Sequence, residues 1–266
     1  MSEARLINPA KARMAAGEIA LGMISRFARS GEIARIAKTS GHDFLFIDGQ
    51  HSLYSRETIN HLIQAALGVG VAPLVRVSGC HDAIAPVLLD CGALGIVYPD
   101  VNTADEARAA VAACKFAPVG RRSVGGGYPQ FNYQALPVPQ LTAAMNDAML
   151  VVCMVETREG IGNVEEIAAV EGVDVLLVGM NDLITDMGLP GGHGHPDVVA
   201  ATERVLKACR ANGVFGGVGG DPDLERMAHY VKLGARFLPT QSDGAFLLRE
   251  ATRYAGSMRE LQSAIA

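Results

Sequence analysis

The chain has 266 residues, 23 basic against 28 acidic side chains for a net charge of −5, and a hydrophobic share of 49% against 19% charged. So much apolar side chain excludes a disordered chain. The acidic balance, with no basic run longer than Arg121-Arg122, excludes a surface built to attract phosphate polymers, so no nucleic acid partner is expected. The longest strongly apolar run, MLVVCMV at 149–155, falls far short of the ~20 residues that cross a bilayer, so no membrane partner is expected either.

In chain order, MSEARLINPAKARM opens with mixed charges and no apolar export signal. Eight short, near-continuously hydrophobic runs follow: ALGMIS (20–25), FLFIDG (44–49), PLVRV (73–77), GIVYPD (95–100), LVVCMVE (150–156), DVLLVG (174–179), VFGGVG (214–219) and ARFLPT (235–240). Strands buried on both faces of a parallel sheet read this way. Helical stretches lie between them, including 55–68, 103–116, 195–213 and 221–234. Thr103 with Glu106 predicts a capping box, Asp221-Pro222 predicts an N-cap with a first-turn proline, and Gly68, Gly213 and Gly234 mark ends.

Two intervals are longer. GRRSVGGGYPQFNYQALPVPQ (120–140) is expected to shape or cover an active site, and NDLITDMGLPGGHGHPD (181–197) reads as a short helix and a loop. The last stretch, 243–266, reads as a long amphipathic helix placed to pack on a neighbouring subunit. Eight strand-then-helix units over residues 1–266 predict one α/β domain, a (β/α)8 TIM barrel, whose usual length is about 250 residues. The five cysteines (80, 91, 114, 153, 209) form no C-x-x-C pair and read as reduced side chains of a cytoplasmic protein.

In such a barrel the chemistry sits at the C-terminal ends of the strands. Polar residues that end apolar runs are therefore the candidates: Asp48, Gln50 and His51 after the second, Arg76 in the third, Glu156 after the fifth, Asn181 and Asp182 after the sixth. Glu156 and Asp182 offer hard oxygen donors with no Cys or His at ligand spacing, which suits Mg²⁺ or Mn²⁺ rather than structural zinc. Helix capping is the alternative role for each. Arg76 would be a costly charge unless it holds a carboxylate or oxyanion, or pairs with a barrel acid such as Asp48. His51 can serve as a general base near neutral pH, with Asp48 three residues away to orient the ring.

His193 and His195 in GGHGHP lack a third ligand and read as loop residues, and FGGVGGD (215–221) lacks the pattern of a phosphate loop and reads as close backbone approach at the barrel mouth. Lys11, Lys38, Lys115, Lys207 and Lys232 all fall in helical or N-terminal segments, which disfavours imine chemistry and leaves carbonyl activation to a metal.

DFLFIDGQH (43–51), PLVRV (73–77), GRRSVGGG (120–127), VCMVET (152–157) and LLVGMNDLITDMG (176–188) together resemble the class II pyruvate-type aldolases of the HpcH/HpaI family, in order, over roughly residues 15–255. The resemblance implies an aldehyde-lyase that breaks the C3–C4 bond of a 4-hydroxy-2-oxo acid, with a 2-oxo acid and an aldehyde as its small-molecule partners. It implies Mg²⁺, Mn²⁺ or Co²⁺ on Glu156 and Asp182, Arg76 at the keto oxygen, and His51 in acid-base chemistry. Asp48 and Asp90 match acidic partners of that histidine, Asp90 by way of a subunit interface in a homo-oligomer, trimer or hexamer. Gln50 and Asn181 fall at substrate-binding positions, and three departures are notable: Met154 for Gln, Gln50 for Glu, and GMND for GPAD. Two alternatives accompany this reading. One is a CoA-thioester lyase of the citrate lyase β-like type, which needs a basic groove that only Arg121 and Arg122 could supply. The other is a barrel that binds a 2-oxo acid without catalysis.

Overall fold

A computed structural model describes residues 6–189, 192–263 and 265. The first residues of the opening segment, part of the 181–197 interval and the end of the predicted 243–266 helix lie outside the described residues. In chain order the elements are α1 (Pro9–Ala15), β1 (Ala20–Ser25), α2 (Glu32–Thr39), β2 (Phe44–Asp48), α3 (Arg56–Gly68), β3 (Ala72–Arg76), α4 (Ala85–Asp90), β4 (Gly95–Tyr98) and α5 (Ala104–Cys114). Then come α6 (Val138–Ala148), β5 (Leu150–Val155), α7 (Arg158–Gly162), α8 (Val164–Ala168), β6 (Val175–Gly179), α9 (Met180–Asp186), α10 (Pro196–Asn212), β7 (Phe215–Gly219), α11 (Leu224–Lys232), β8 (Ala235–Ser242) and α12 (Asp243–Ser263).

The strands close in sequence order into a parallel barrel, β8 pairing back onto β1. Every residue of β2 through β6 is buried, which is why those runs carry almost no polar side chains. Alternation along the strands divides them into inward and outward sets. Ile24, Phe46, Arg76, Met154, Leu177 and Pro239 line a cavity at the mouth. Two residues earlier, Gly22, Phe44, Leu74, Val152, Val175 and Phe237 occupy the same inward set and fill the interior beneath it. The Phe44 and Phe237 rings stack there with centroids 4.4 Å apart. Gly22 makes room for them: a Cβ at that position would sit 2.0 Å from the Phe44 ring.

The helix signals act largely as read. Thr103 and Glu106 form the capping box of α5, and α10 stops at Gly213, whose φ is 69°. For α11 the predicted cap shifts by two residues. Asp223, not Asp221, takes the amides of Glu225 and Arg226, because Asp221 is occupied by Nε and Nη2 of Arg226 at 2.8 and 2.9 Å.

The 120–140 segment departs from its expected place. It follows a helix rather than a strand, so it starts away from the barrel mouth, and none of its residues lines the mouth cavity. It packs outside on α4 instead, where Gln130 donates to the Leu89 and Ala93 carbonyls and Arg122 pairs with Asp90 at 2.6 Å. Lys115, the buried lysine, is held by the Met149 carbonyl and Asp174, both ahead of strand starts and so remote from the mouth. Among the described residues no helix is long and apolar enough to cross a membrane.

Candidate active site

The mouth cavity has a volume of about 260 Å³, and its polar lining is Arg26, His51, Arg76, Glu156, Asn181 and Asp182. Five of these six were singled out from the sequence. Each reaches the mouth because its strand ends there: β1 delivers Arg26, β2 leads to His51, β3 ends on Arg76, β5 leads to Glu156, and α9 opens with Asn181 and Asp182 in its first turn.

Asp48 stands behind this wall, fully buried, and is saturated with donors. Arg76 donates Nε to Oδ1 at 3.0 Å and Nη2 to Oδ2 at 2.6 Å. Arg26 Nε reaches Oδ2 at 2.5 Å, and the amides of Gln50 and His51 reach Oδ1 at 3.2 and 3.1 Å. Burial alone would raise its pKa, but the Arg76 guanidinium, the His51 amide and Arg26 outweigh that and hold it down at about 2. The carboxylate therefore fixes the backbone of the loop that carries His51; the interaction expected with the imidazole ring is replaced by one with the His51 amide. The turn needs Gly49, where a Cβ would lie 2.6 Å from the Arg76 carbonyl.

Arg76 is both things the sequence allowed. It makes the bidentate ion pair with Asp48, while its remaining Nη1 points along the cavity wall toward the Met154 sulfur at 4.0 Å. Met154, the departure from Gln, thus supplies a soft, weakly accepting contact to the guanidinium.

Glu156 presents the opposite environment. It is 2% exposed; Oε1 accepts the Asp100 amide at 2.9 Å, and Oε2 is buried with no hydrogen-bond partner. Burial, with the charges of Asp100 and Asp182 added, outweighs the Asp100 amide and Arg76 and pushes its carboxyl up to about 7. The Asp100 amide is aimed by a turn in which Asp100 itself takes a left-handed φ of 52°. Gly179 forms the floor under the free oxygen: a Cβ there would meet Oε2 at 2.1 Å. A buried anionic oxygen without a donor, in a hollow kept open by glycine and beside the exposed carboxylate of Asp182, fits a cation. Among the described residues no group of three or more His, Cys, Asp or Glu side chains is placed to hold a metal. A centre here would rest on two carboxylates, with water and substrate oxygens completing it, as Mg²⁺ and similar ions accept.

Other residues singled out from the sequence lie outside this chain's cavity. Gln50 does not line the cavity, and its side-chain oxygen is buried without a hydrogen-bond partner. Asp90, expected to act across a subunit interface, lies outside this chain's own cavity and pairs with Arg122 at 2.6 Å. Arg122 is buried, with its guanidinium 4.6 Å from the Phe116 ring centroid, which leaves Arg121 as the one exposed arginine of that pair. His193 is less detached than expected, since its Nε2 lies 3.2 Å from Oδ1 of Asn181; His195 caps α10. Sequence reading passed over Arg26 and Asp100. Arg26 follows ALGMIS directly and satisfied the same rule as the others, a charge ending an apolar run. Asp100 acts through its backbone, which side-chain chemistry cannot reveal.

The chain is similar to known proteins over nearly its whole length. The model of the HpcH/HpaI aldolase/citrate lyase family matches residues 27–249. A 4-hydroxy-4-methyl-2-oxoglutarate aldolase of Chaetomium globosum is 37% identical over 256 residues, 95% of each chain. A hydroxypyruvate/pyruvate aldolase of Cupriavidus necator is 33% identical over 257 residues, 96% of this chain and 94% of that one. Among solved structures, an HpcH/HpaI aldolase from Desulfitobacterium hafniense superposes with a TM-score of 0.88 at 30% identity, over 94% of this chain and 96% of that one.

Proposed function

The chain belongs to the HpcH/HpaI aldolase/citrate lyase family, and from that premise we propose that it is a divalent-metal-dependent aldehyde-lyase that reversibly cleaves 4-hydroxy-2-oxo acids to pyruvate or a related 2-oxo acid and an aldehyde. The observation that carries the metal dependence is the unpartnered, buried Oε2 of Glu156 over Gly179. Glu156 and Asp182 would hold the ion, and Mg²⁺, Mn²⁺ or Co²⁺ suits two oxygen donors. When bound, such an ion polarises the 2-oxo group and neutralises charge that develops there.

The chain's own residues do the rest. Arg76, clamped by Asp48, keeps Nη1 at the cavity wall, where a donor meets the oxygen that becomes an enolate. His51, on the adjoining rim, takes the proton of the C4 hydroxyl directly or through water. The O–H electron pair becomes the carbonyl bond of the aldehyde, the C3–C4 pair becomes the enolate double bond, and a proton delivered to C3 completes the 2-oxo acid. Asn181, joined to His193, borders the carboxylate end of the substrate. Asp90 remains assigned to a neighbouring copy's site in a homo-oligomer, trimer or hexamer. Exposed apolar side chains along α12 (Leu247, Leu248, Tyr254, Met258, Leu261) and the almost fully exposed Leu53 support such assembly. Five free cysteines support a cytoplasmic setting.

The test is pyruvate release from a 4-hydroxy-2-oxo acid before and after EDTA. Activity should vanish on chelation and return with Mg²⁺, Mn²⁺ or Co²⁺. Turnover that survives both chelation and Glu156→Ala would end the metal reading.

A further inference from the structure

We propose that Arg26 binds a second carboxylate on the C4 side of the substrate, so that the preferred 4-hydroxy-2-oxo acids are dianions and the carbonyl product carries an acid group. This rests on the lyase reading above and narrows its substrate class. In a closed eight-stranded barrel β1 lies four strands from β5 by either route, so Arg26 and Glu156 face each other across the mouth. A 2-oxo acid seated by its head at the β5–β6 wall must send its tail toward β1 and β2. His51, which takes the C4 proton, follows β2, and β1 is the strand beside it. The substituent on C4 therefore comes to rest next to Arg26.

The guanidinium is prepared for that role. Its Nε is tied to Asp48 at 2.5 Å, and among the described residues neither terminal nitrogen has a hydrogen-bond partner. Its backbone is fixed as well: the Asp243 carboxylate at the start of α12 accepts the amides of Arg26 at 3.1 Å, Phe27 at 3.0 Å and Ala28 at 2.7 Å. A guanidinium held at Nε and open at its far edge presents the two parallel N–H groups that match a carboxylate. One carboxylate, Asp48, serves two guanidinium groups, which leaves positive charge on this side of the mouth. Arg29 does not compete for the ligand; it lies 4.3 Å over the Tyr54 ring and donates to the carbonyls of Arg26 and Phe27.

The experiment compares 4-hydroxy-2-oxoglutarate with 4-hydroxy-2-oxopentanoate, which carries a methyl in place of the distal carboxylate, on the Mn²⁺-loaded protein. Calorimetry on 2-oxoglutarate and 2-oxopentanoate gives a parallel ratio that needs no turnover. The wild type should favour the dianion in both. Arg26→Met should lower both ratios by about 10- to 100-fold, mainly through KM, the range of a lost charged hydrogen bond, and Arg26→Lys should recover part of each. Ratios unchanged in Arg26→Met, with both substrates still cleaved, overturn the Arg26 assignment and leave the lyase standing. Equal losses on both substrates overturn it too, because Arg26 would then act only by holding Asp48. Cleavage of neither substrate by the wild type, with an Arg26-dependent binding ratio, overturns the lyase reading and retains the carboxylate site.

Discussion

Replacing Gly179 by alanine tests the cation site without touching a ligand. The backbone there, with φ −88° and ψ 90°, is open to alanine, so the effect is one of space alone. The new Cβ would stand 2.1 Å from Oε2 of Glu156, 3.0 Å from its Cβ and 3.1 Å from its Cδ. Ordinary contact then requires the carboxylate to retreat by roughly 1 Å. Ions of the Mg²⁺ type hold their oxygens at about 2.0–2.1 Å with little tolerance, so a displacement of that size removes a ligand. We expect the Mn²⁺ Kd, read from the free-ion signal in an EPR titration, to rise about 100-fold, or ~2.7 kcal/mol. The unfolding temperature of the metal-free protein should move by no more than about 4 °C, which separates a lost ligand from a lost fold. On a Glu156→Ala background the same substitution should cost nothing further, since both act through one oxygen. Wild-type Mn²⁺ affinity in Gly179→Ala, or full additivity in the double variant, would refute the reasoning.

Two other outcomes follow from the site. His51→Ala should lower kcat by about 10²- to 10⁴-fold while the Mn²⁺ Kd stays at the wild-type value; parallel loss of both would make His51 a ligand rather than a base. Asp48 has a folded pKa of about 2 against an ordinary 3.8, so the stability it contributes is fully present above the higher value and disappears as pH falls through the lower one. That contribution is roughly 2.5 kcal/mol. Asp48→Asn should therefore weaken the protein at pH 7 and flatten the acid limb of its unfolding profile below pH 4, as followed by circular dichroism.

Most of the barrel was legible because parallel strands buried on both faces leave an unmistakable trace: runs such as PLVRV and DVLLVG coincide with β3 and β6 to within a residue or two. The runs fail where the backbone, not hydrophobicity, sets the end. GIVYPD stops at Tyr98 because Pro99 and the left-handed Asp100 turn the chain, and β8 runs past Thr240 to Ser242, where pairing with β1 persists beyond the apolar stretch. Site residues were found by position and missed in partnership. Asp48 was read from its place after an apolar run, yet its five donors come from three separate segments, Arg26, Arg76 and the Gln50–His51 loop, which no local spacing encodes. The 120–140 segment looked like a lid because length and glycine content do not say which end of the barrel a connection leaves from.

Asp48 and Glu156 show why the proposed cation belongs at one wall of the mouth and not at the other. Both carboxylates are buried and belong to the same mouth, but Asp48 has no unsatisfied oxygen: two guanidinium groups and two amides saturate it, and at about 2 its carboxyl neither takes a proton nor needs a metal. Glu156 has one amide on one oxygen and nothing on the other, and its rise to about 7 from 4.5 corresponds to roughly 3 kcal/mol of unfavourable burial for the anion. A divalent ion would gain that anion at the β5–β6 wall, where we propose it binds. In the proposed reaction the same asymmetry would orient the substrate, with its 2-oxo acid end toward Glu156, Asp182 and Arg76 and its C4 end toward His51 and Arg26. Moving the unsatisfied oxygen to the other wall, by Glu156→Gln combined with Arg26→Met, should not create a new metal site, because Arg76 still occupies both oxygens of Asp48.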